Sequence, residues 1–248
     1  MKKKVKNWSL LVVAVLTSAV HVQALTGASE EVTCPIGGEK LQRKYINSYT
    51  SSDQELDSRE FFDPRPVPQC PSDGFVMYQA EFSEAEVAIL QHYVRSKEFQ
   101  SLRGKHVPYY LAARLKAQLG REDISYLLLQ ASWQATNPKQ YRAYAIEALD
   151  AYERQLRGHY ESAERRMFDR LIAGELERRL GRFNEAKERF VAIAGEESLA
   201  TYQGGRFASI VCVQLALIEV KSSEPHRIPT TPLPSCDALL REAATKKR

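Results

Sequence analysis

GELERRLGRFNEAKERF, residues 174–190, is the stretch that decides the fold, because it predicts two helices joined by one tight turn. Gly174 has no side chain and lets the two helices approach closely, while Gly181 provides the turn between them. Phe183, Ala186 and Phe190 follow at helical spacing and are expected to pack against the first helix. This stretch therefore predicts an antiparallel helical hairpin.

Helical signals continue on both sides of this hairpin, from Ser83 to the end of the chain. Ser83 and Glu86 form a capping-box pattern, and Pro108 and Pro138 each suit the first turn of a helix. The apolar run 207–220 predicts a buried helix, and 225–234 an extended link to a last short helix. Seven or eight helices joined by short turns predict a mainly α protein, built as an array of helical hairpins.

The spacing of the five hairpin residues resembles that of a tetratricopeptide repeat. The aromatic residues usual in that repeat are replaced by Arg170 and Glu177. An ordinary helical hairpin is the alternative, since any close helix pair favours small residues at the contact. We expect one repeat-like hairpin here, and a regular array through the earlier helices stays open.

The N-terminus has the three parts of a secretory signal peptide. Four lysines precede an uncharged stretch from Trp8 to Val20, and small residues at Val22 and Ala24 suggest cleavage before Leu25. An uncleaved anchor is the alternative, but 13 residues span only about 20 Å as a helix, short of the hydrocarbon core of about 30 Å. The sequence predicts a signal peptide over 1–24 and a periplasmic or secreted protein.

Removing this segment changes what the composition implies. The whole chain carries 35 Lys and Arg against 31 Asp and Glu, a net charge of +4. All four excess charges are the lysines of the signal segment, so the mature chain is balanced and has no basic excess that would favour nucleic acid. It also has no second apolar stretch long enough for a stable membrane span.

Residues 25–80 differ from the helical region 81–248 in being rich in Ser, Pro, Gly and Asp. Short segments at 44–49 and 75–79 are candidate strands. A phrase is repeated here: Cys34-Pro-Ile-Gly-Gly is echoed by Cys70-Pro-Ser-Asp-Gly. A zinc ribbon uses two Cys-Pro-x-Cys-Gly turns to bring four thiolates together, but Gly37 and Asp73 stand where its second cysteines would be. This degenerate ribbon favours a disulfide, and the alternative is an open metal site formed by Cys34, Cys70 and Asp73.

Four cysteines remain after processing, which in an oxidising compartment favours disulfides. The even count permits three pairings. The two repeated turns favour Cys34 with Cys70, which leaves Cys212 and Cys236. We expect the link 225–234 to fold the last helix back and pair them, and two unpaired thiols are the alternative.

These features together resemble an uncharacterised bacterial family, a domain of unknown function, in which a Cys-Pro ribbon precedes tetratricopeptide-like helices. The resemblance rests on the two Cys-Pro turns, on Ser48–Ser51 and Leu56–Arg59, on Phe75–Tyr78 and on the 174–190 hairpin. It implies an architecture and no established activity.

The common catalytic motifs are absent from the sequence. The chain has no Gly-x-Ser-x-Gly, no His-Glu-x-x-His and no phosphate-binding glycine loop. The expected function is a non-catalytic protein-interaction or scaffold protein of the bacterial envelope, with a protein or peptide partner and no cofactor. The alternatives are an envelope enzyme using a carboxylate pair from the acidic segment 53–63 to act on cell-wall material, and a metal-binding module.

Overall fold

A computed structural model describes residues 27–46, 67–196, 199 and 205–226. The predicted signal peptide, the acidic segment 53–63 and the last helix lie outside these residues. The described part is mainly helical, with one small antiparallel sheet near its N-terminal end. Among the described residues, no helix combines the length and the apolar character that crossing a membrane requires.

The sheet consists of β1 (Gly27–Thr33) and β2 (Lys40–Ile46), paired from Gly27 opposite Ile46 to Thr33 opposite Lys40. The prediction of a strand at 44–49 overlaps only the end of β2. The strand predicted at 75–79 is wrong over most of its length, because only Val76 pairs, in an isolated bridge with Gln69.

Eight helices follow in the described residues, joined by short turns. Their bounds are α1 Glu84–Val94, α2 Lys97–Arg103, α3 Pro108–Gln118, α4 Ser125–Trp133, α5 Pro138–Leu156, α6 Ala163–Arg179, α7 Phe183–Ala194 and α8 Arg206–Glu219. From α3 onward each helix packs on the next one in the chain, and α6 also contacts α8. This sequential packing is that of an antiparallel helical array.

Polar side chains fix where these helices begin. Ser83 and Glu86 form the predicted capping box at α1, and Asn137 accepts a hydrogen bond from the Gln140 amide at α5. Ser96 starts α2 by accepting from the Phe99 amide, so α1 ends at Val94 and a separate helix follows at once. α4 begins after Ile124 without a side-chain cap.

The buried residues form two clusters. The larger one joins α3 to α8 through residues such as Leu128, Leu171 and Val211. The smaller one joins Cys34, Cys70 and residues 75–77 to apolar side chains of α1, α2 and α3. The N-terminal region therefore has little core of its own and is held against the first helices of the array.

Candidate functional site: the paired Cys-Pro turns

The first Cys-Pro turn leads from β1 into β2. The amide of Cys34 donates to the carbonyl of Glu39 at 2.8 Å, and the amide of Gly38 donates back to the carbonyl of Cys34 at 3.0 Å. Gly38 has a φ of +73°, a left-handed conformation that L side chains rarely adopt. The turn is closed by backbone bonds and needs glycine at this position.

The second turn repeats this geometry. The amide of Cys70 donates to the carbonyl of Phe75 at 2.8 Å, and the amide of Gly74 donates to the carbonyl of Cys70 at 2.9 Å. Gly74 has a φ of +82°. The sequence repeat is therefore a structural repeat, with equivalent hydrogen bonds and the same left-handed glycine in both turns.

The turns are joined by a disulfide between Cys34 and Cys70, whose Cα atoms lie 5.9 Å apart. Both cysteines are buried. The sequence predicts this bond, and the structure contains it. In this oxidised form neither sulfur is available as a thiolate ligand.

The side chain that occupies the space beside Gly37 in the first turn is Glu39. A Cβ atom placed on Gly37 would collide with the Glu39 carboxylate and lie 2.7 Å from Oγ of Ser72. The Glu39 carboxylate accepts hydrogen bonds from both the hydroxyl and the amide of Ser72, the latter at 3.1 Å. These bonds from Ser72 lower the pKa of Glu39, so the carboxylate is ionised at neutral pH and links the two turns.

Asp73 has a different role from the one that a metal site would give it. Its Oδ1 accepts from the Phe75 amide at 2.9 Å and so stabilises the second turn from inside. Among the described residues, the group whose potential ligand atoms all lie within 4.8 Å of one another is Cys34, Glu39 and Cys70. Glu39 is not predicted from the sequence, although its position beside the first turn matches that of Phe75 beside the second.

Helix α2 holds the second turn in place. Arg103 donates to the carbonyls of Pro71 and Ser72, the latter at 2.9 Å, and Gln100 donates to the carbonyl of Asp73 at 2.9 Å. Three successive carbonyls of the turn thus bond to side chains of one helix. The disulfide, the turns and the array form one connected unit.

The other predicted site is the hairpin of α6 and α7. Gly181 has a φ of +79°, and the amides of Gly181 and Arg182 donate back to the carbonyls of Arg178 and Glu177, which is a Schellman turn. A Cβ atom on Gly174 would lie 2.8 Å from the ring of Phe190. Ala186 and Phe190 are buried, whereas Phe183 at the start of α7 is partly buried.

The second cysteine pair lies partly outside the described residues. Cys212 is buried in α8 and is disulfide-bonded. Cys236 lies beyond the described part of the chain, so its pairing with Cys212 stays a prediction.

A polar and aromatic cluster that is not predicted from the sequence joins α3 to α5. Arg114 binds both the Tyr110 hydroxyl and the Glu147 carboxylate, and its guanidinium lies 4.5 Å from the centre of the Tyr110 ring. His106 stacks on Tyr110, and its Nδ1 lies 2.9 Å from the hydroxyl oxygen of Tyr144. Burial raises the pKa of both tyrosines and lowers that of His106, so all three are neutral near pH 7. The cluster fastens the two helices.

Buried charges elsewhere in the array are also used between helices. Asp169 of α6 accepts from Gln155 at 2.8 Å, from Tyr160 at 2.9 Å and from Arg165 at 3.1 Å. Burial raises the pKa of this carboxyl, and Tyr160 and Arg165 act in the opposite direction. Arg178 of α6 is fully buried and donates to Gln214 and to two carbonyls beyond α8. Each of these groups is bonded to protein rather than presented to a substrate.

Two local geometries in the described residues invite comparison with known proteins, the paired Cys-Pro turns and the α6–α7 hairpin. Sequence and structure comparisons extend over whole chains as well as such motifs. No protein-family model matches the chain, and no curated protein and no solved structure matches it either.

Proposed function

We propose that this protein is an exported, non-catalytic protein-interaction or scaffold protein of the bacterial envelope, built on a tetratricopeptide-like array. The observation that carries the proposal is the sequential packing of α3 to α8, in which each helix packs on the next. Arrays of this kind present extended surfaces of several helices, which suit a peptide or a partner protein.

Ion pairs also tie the helices of the array to one another. Arg189 of α7 bonds to Glu177 of α6, at 2.7 Å and 2.9 Å, and to Glu153 of α5. One guanidinium therefore joins three helices. A surface that is already ordered loses less conformational entropy when it binds, so such bridges favour recognition.

Export is supported by the order of residues at the N-terminus and by the disulfide between Cys34 and Cys70, since disulfides persist in oxidising compartments. N-terminal sequencing of the protein recovered outside the cytoplasm should begin at Leu25. Recovery of an intact chain that starts at Met1 and stays in the membrane would contradict this part of the proposal.

Interaction is tested by site-specific photo-crosslinking in intact cells. A photoreactive residue would replace Tyr126 on α4 or Glu188 on α7, both exposed, and Glu31 on β1 would serve as the matched exposed control. We expect the helix positions to yield one discrete adduct with the same partner and the control position to yield none.

Two results would count against the proposal. Absence of any adduct from both helix positions, with the protein correctly exported and folded, would remove the role of the array. Release of soluble fragments from purified cell-wall material by the purified protein would show catalysis instead.

A further inference from the structure

The paired turns bring together three side chains with the chemistry of a metal site. The two sulfur atoms of Cys34 and Cys70 and a carboxylate oxygen of Glu39 all lie within 4.8 Å of one another. Two thiolates and one carboxylate are a donor set that suits a borderline-soft divalent cation such as Zn²⁺. The disulfide is what withholds the two sulfurs.

The positions of the two turns do not depend on the disulfide between the sulfurs. Each turn is closed by its own two backbone hydrogen bonds, and the second turn is fastened to α2 by Arg103 and Gln100. Ser72 also joins the second turn to Glu39 of the first. Breaking the disulfide therefore leaves the cysteines facing each other.

Glu39 is already oriented as a ligand would be. Ser72 donates two hydrogen bonds to Oε1, which holds the carboxylate in one position. Hydrogen bonds of this kind, made to a ligand rather than to the metal, orient metal ligands and strengthen metal binding. Both cysteines are buried whereas Glu39 is partly exposed, so the carboxylate side provides the path by which an ion enters.

We propose that reduction converts the Cys34–Cys70 disulfide into a site that binds one divalent ion of the zinc class through Cys34, Cys70 and Glu39. A dithiol reductant transfers two electrons and two protons to the disulfide, giving two thiols, and itself becomes a disulfide. Binding of the ion then releases the two thiol protons to solvent and forms two metal–sulfur bonds. Water fills the fourth position, as in open three-ligand zinc sites.

This assignment replaces the ligand set that the sequence alone suggests. Asp73 is engaged by the Phe75 amide inside the second turn, and it does not belong to the group of converging ligand atoms. A disulfide offers no thiolate to an ion, so the proposal concerns only the reduced form.

The experiment uses the full mature protein, reduced with a phosphine under anaerobic conditions and compared with the untreated oxidised protein. Co²⁺ serves as a spectroscopic probe, because thiolate ligands give it a charge-transfer band, and Zn²⁺ is titrated in competition with a chromophoric chelator. Far-ultraviolet circular dichroism follows the fold in parallel. We expect one ion per reduced chain, a thiolate band, and no binding by the oxidised chain.

Variants identify the ligands. Cys70→Ser should abolish the band. Glu39→Gln removes the charge of a direct ligand and should weaken Zn²⁺ binding about 100-fold or more, since loss of an outer contact alone costs about 10- to 100-fold. Asp73→Asn is the matched control, because its amide oxygen can still accept from the Phe75 amide, and it should bind as the parent protein does.

Three outcomes overturn the proposal. The reduced, folded chain binds no Zn²⁺; the reduced chain unfolds and Zn²⁺ does not restore the fold; or Asp73→Asn loses binding while Glu39→Gln retains it. The first two reject the site, and the third rejects its ligand set. None of them bears on the photo-crosslinking result, so the interaction proposal is tested separately.

Discussion

Gly174→Ala is the substitution that most directly tests how the α6–α7 hairpin packs. An alanine Cβ would lie 2.8 Å from two ring atoms of Phe190 and 3.2 Å from Cδ of Arg189. The Phe190 ring is fully buried, so it cannot move into solvent to relieve the contact. The two helices must separate locally or the ring must leave its rotamer.

Two effects of opposite sign determine the result. Alanine in a helix interior is favoured over glycine by about 0.5–1 kcal/mol, whereas forcing extra atoms into a packed core destabilises by about 1–3 kcal/mol. Because the contact is below 3.0 Å and the ring is confined, overpacking prevails. We expect a net loss of about 1–2 kcal/mol in the free energy of unfolding and a fall in Tm of about 2–8 °C.

Urea and thermal unfolding of the protein with its disulfides intact would measure this loss. Gly104→Ala is the matched control, since a Cβ there meets no atom within 4 Å and its φ of −87° suits any residue. Phe190→Leu should destabilise the protein less in the Gly174→Ala background than in the parent protein, because the smaller leucine leaves room for the alanine Cβ. Gly174→Ala as stable as the parent protein, or more stable, would refute the close packing.

Three further predictions concern the paired turns and the buried arginine. The protein purified without reductant should hold no stoichiometric zinc. Cys70→Ser should lower the free energy of unfolding by about 4 kcal/mol, because the Cys34–Cys70 disulfide spans 36 residues. A free thiol at Cys34 or Cys70, measured before reduction, would contradict the disulfide. Arg178→Met should lower the free energy of unfolding by about 3 kcal/mol and expose the segment after α8 to protease, since it leaves the buried Gln214 oxygen and the carbonyls of Ser222 and Glu224 without their donor. The exposed Arg166→Met should change neither. Hydrogen bonds from Ser72 lower the pKa of Glu39, so its ionised form stabilises the fold above the usual pKa of 4.5, and this stabilisation is lost as the pH falls through the lowered pKa. Glu39→Gln should therefore flatten the dependence of Tm on pH below 4.5, and an unchanged dependence would show that the carboxylate does not link the turns.

Helices were predictable from this sequence where a local signal marks their start. Ser83 with Glu86, and Asn137 before a proline, place the beginnings of α1 and α5 where the structure has them. The sequence predicts that the helix beginning at Ser83 runs to about Lys97, and α1 ends at Val94. The short helix α2 was not predicted, because its seven residues are too few to show helical periodicity. What decides there is the Ser96 hydroxyl, which accepts from the Phe99 amide and starts a new helix.

The strands were less predictable, because their residues do not alternate clearly between apolar and polar. β1 is mostly polar and exposed, so it carries no hydrophobic pattern that would mark it as a strand. Its pairing with β2 is fixed by the Cys34 turn, whose geometry depends on Gly38 and on contacts across the chain. Phe75–Gln79 has strand-like composition, but burial against the first helices leaves only Val76 in a bridge.

In the candidate site too, the features that depend on local sequence were predictable, and those that depend on residues far apart in the chain were not. The two Cys-Pro turns were visible as a repeat, and the presence of only one cysteine in each turn led to the prediction of their disulfide. Glu39 was not visible, since its role depends on an absent side chain at Gly37 and on Ser72, 33 positions further along the chain. Glycine at 37 leaves the space that the carboxylate occupies. One turn thus lends its hydroxyl and amide to orient the acid of the other, in a site that is a covalent link when oxidised and, on the proposal above, a metal site when reduced.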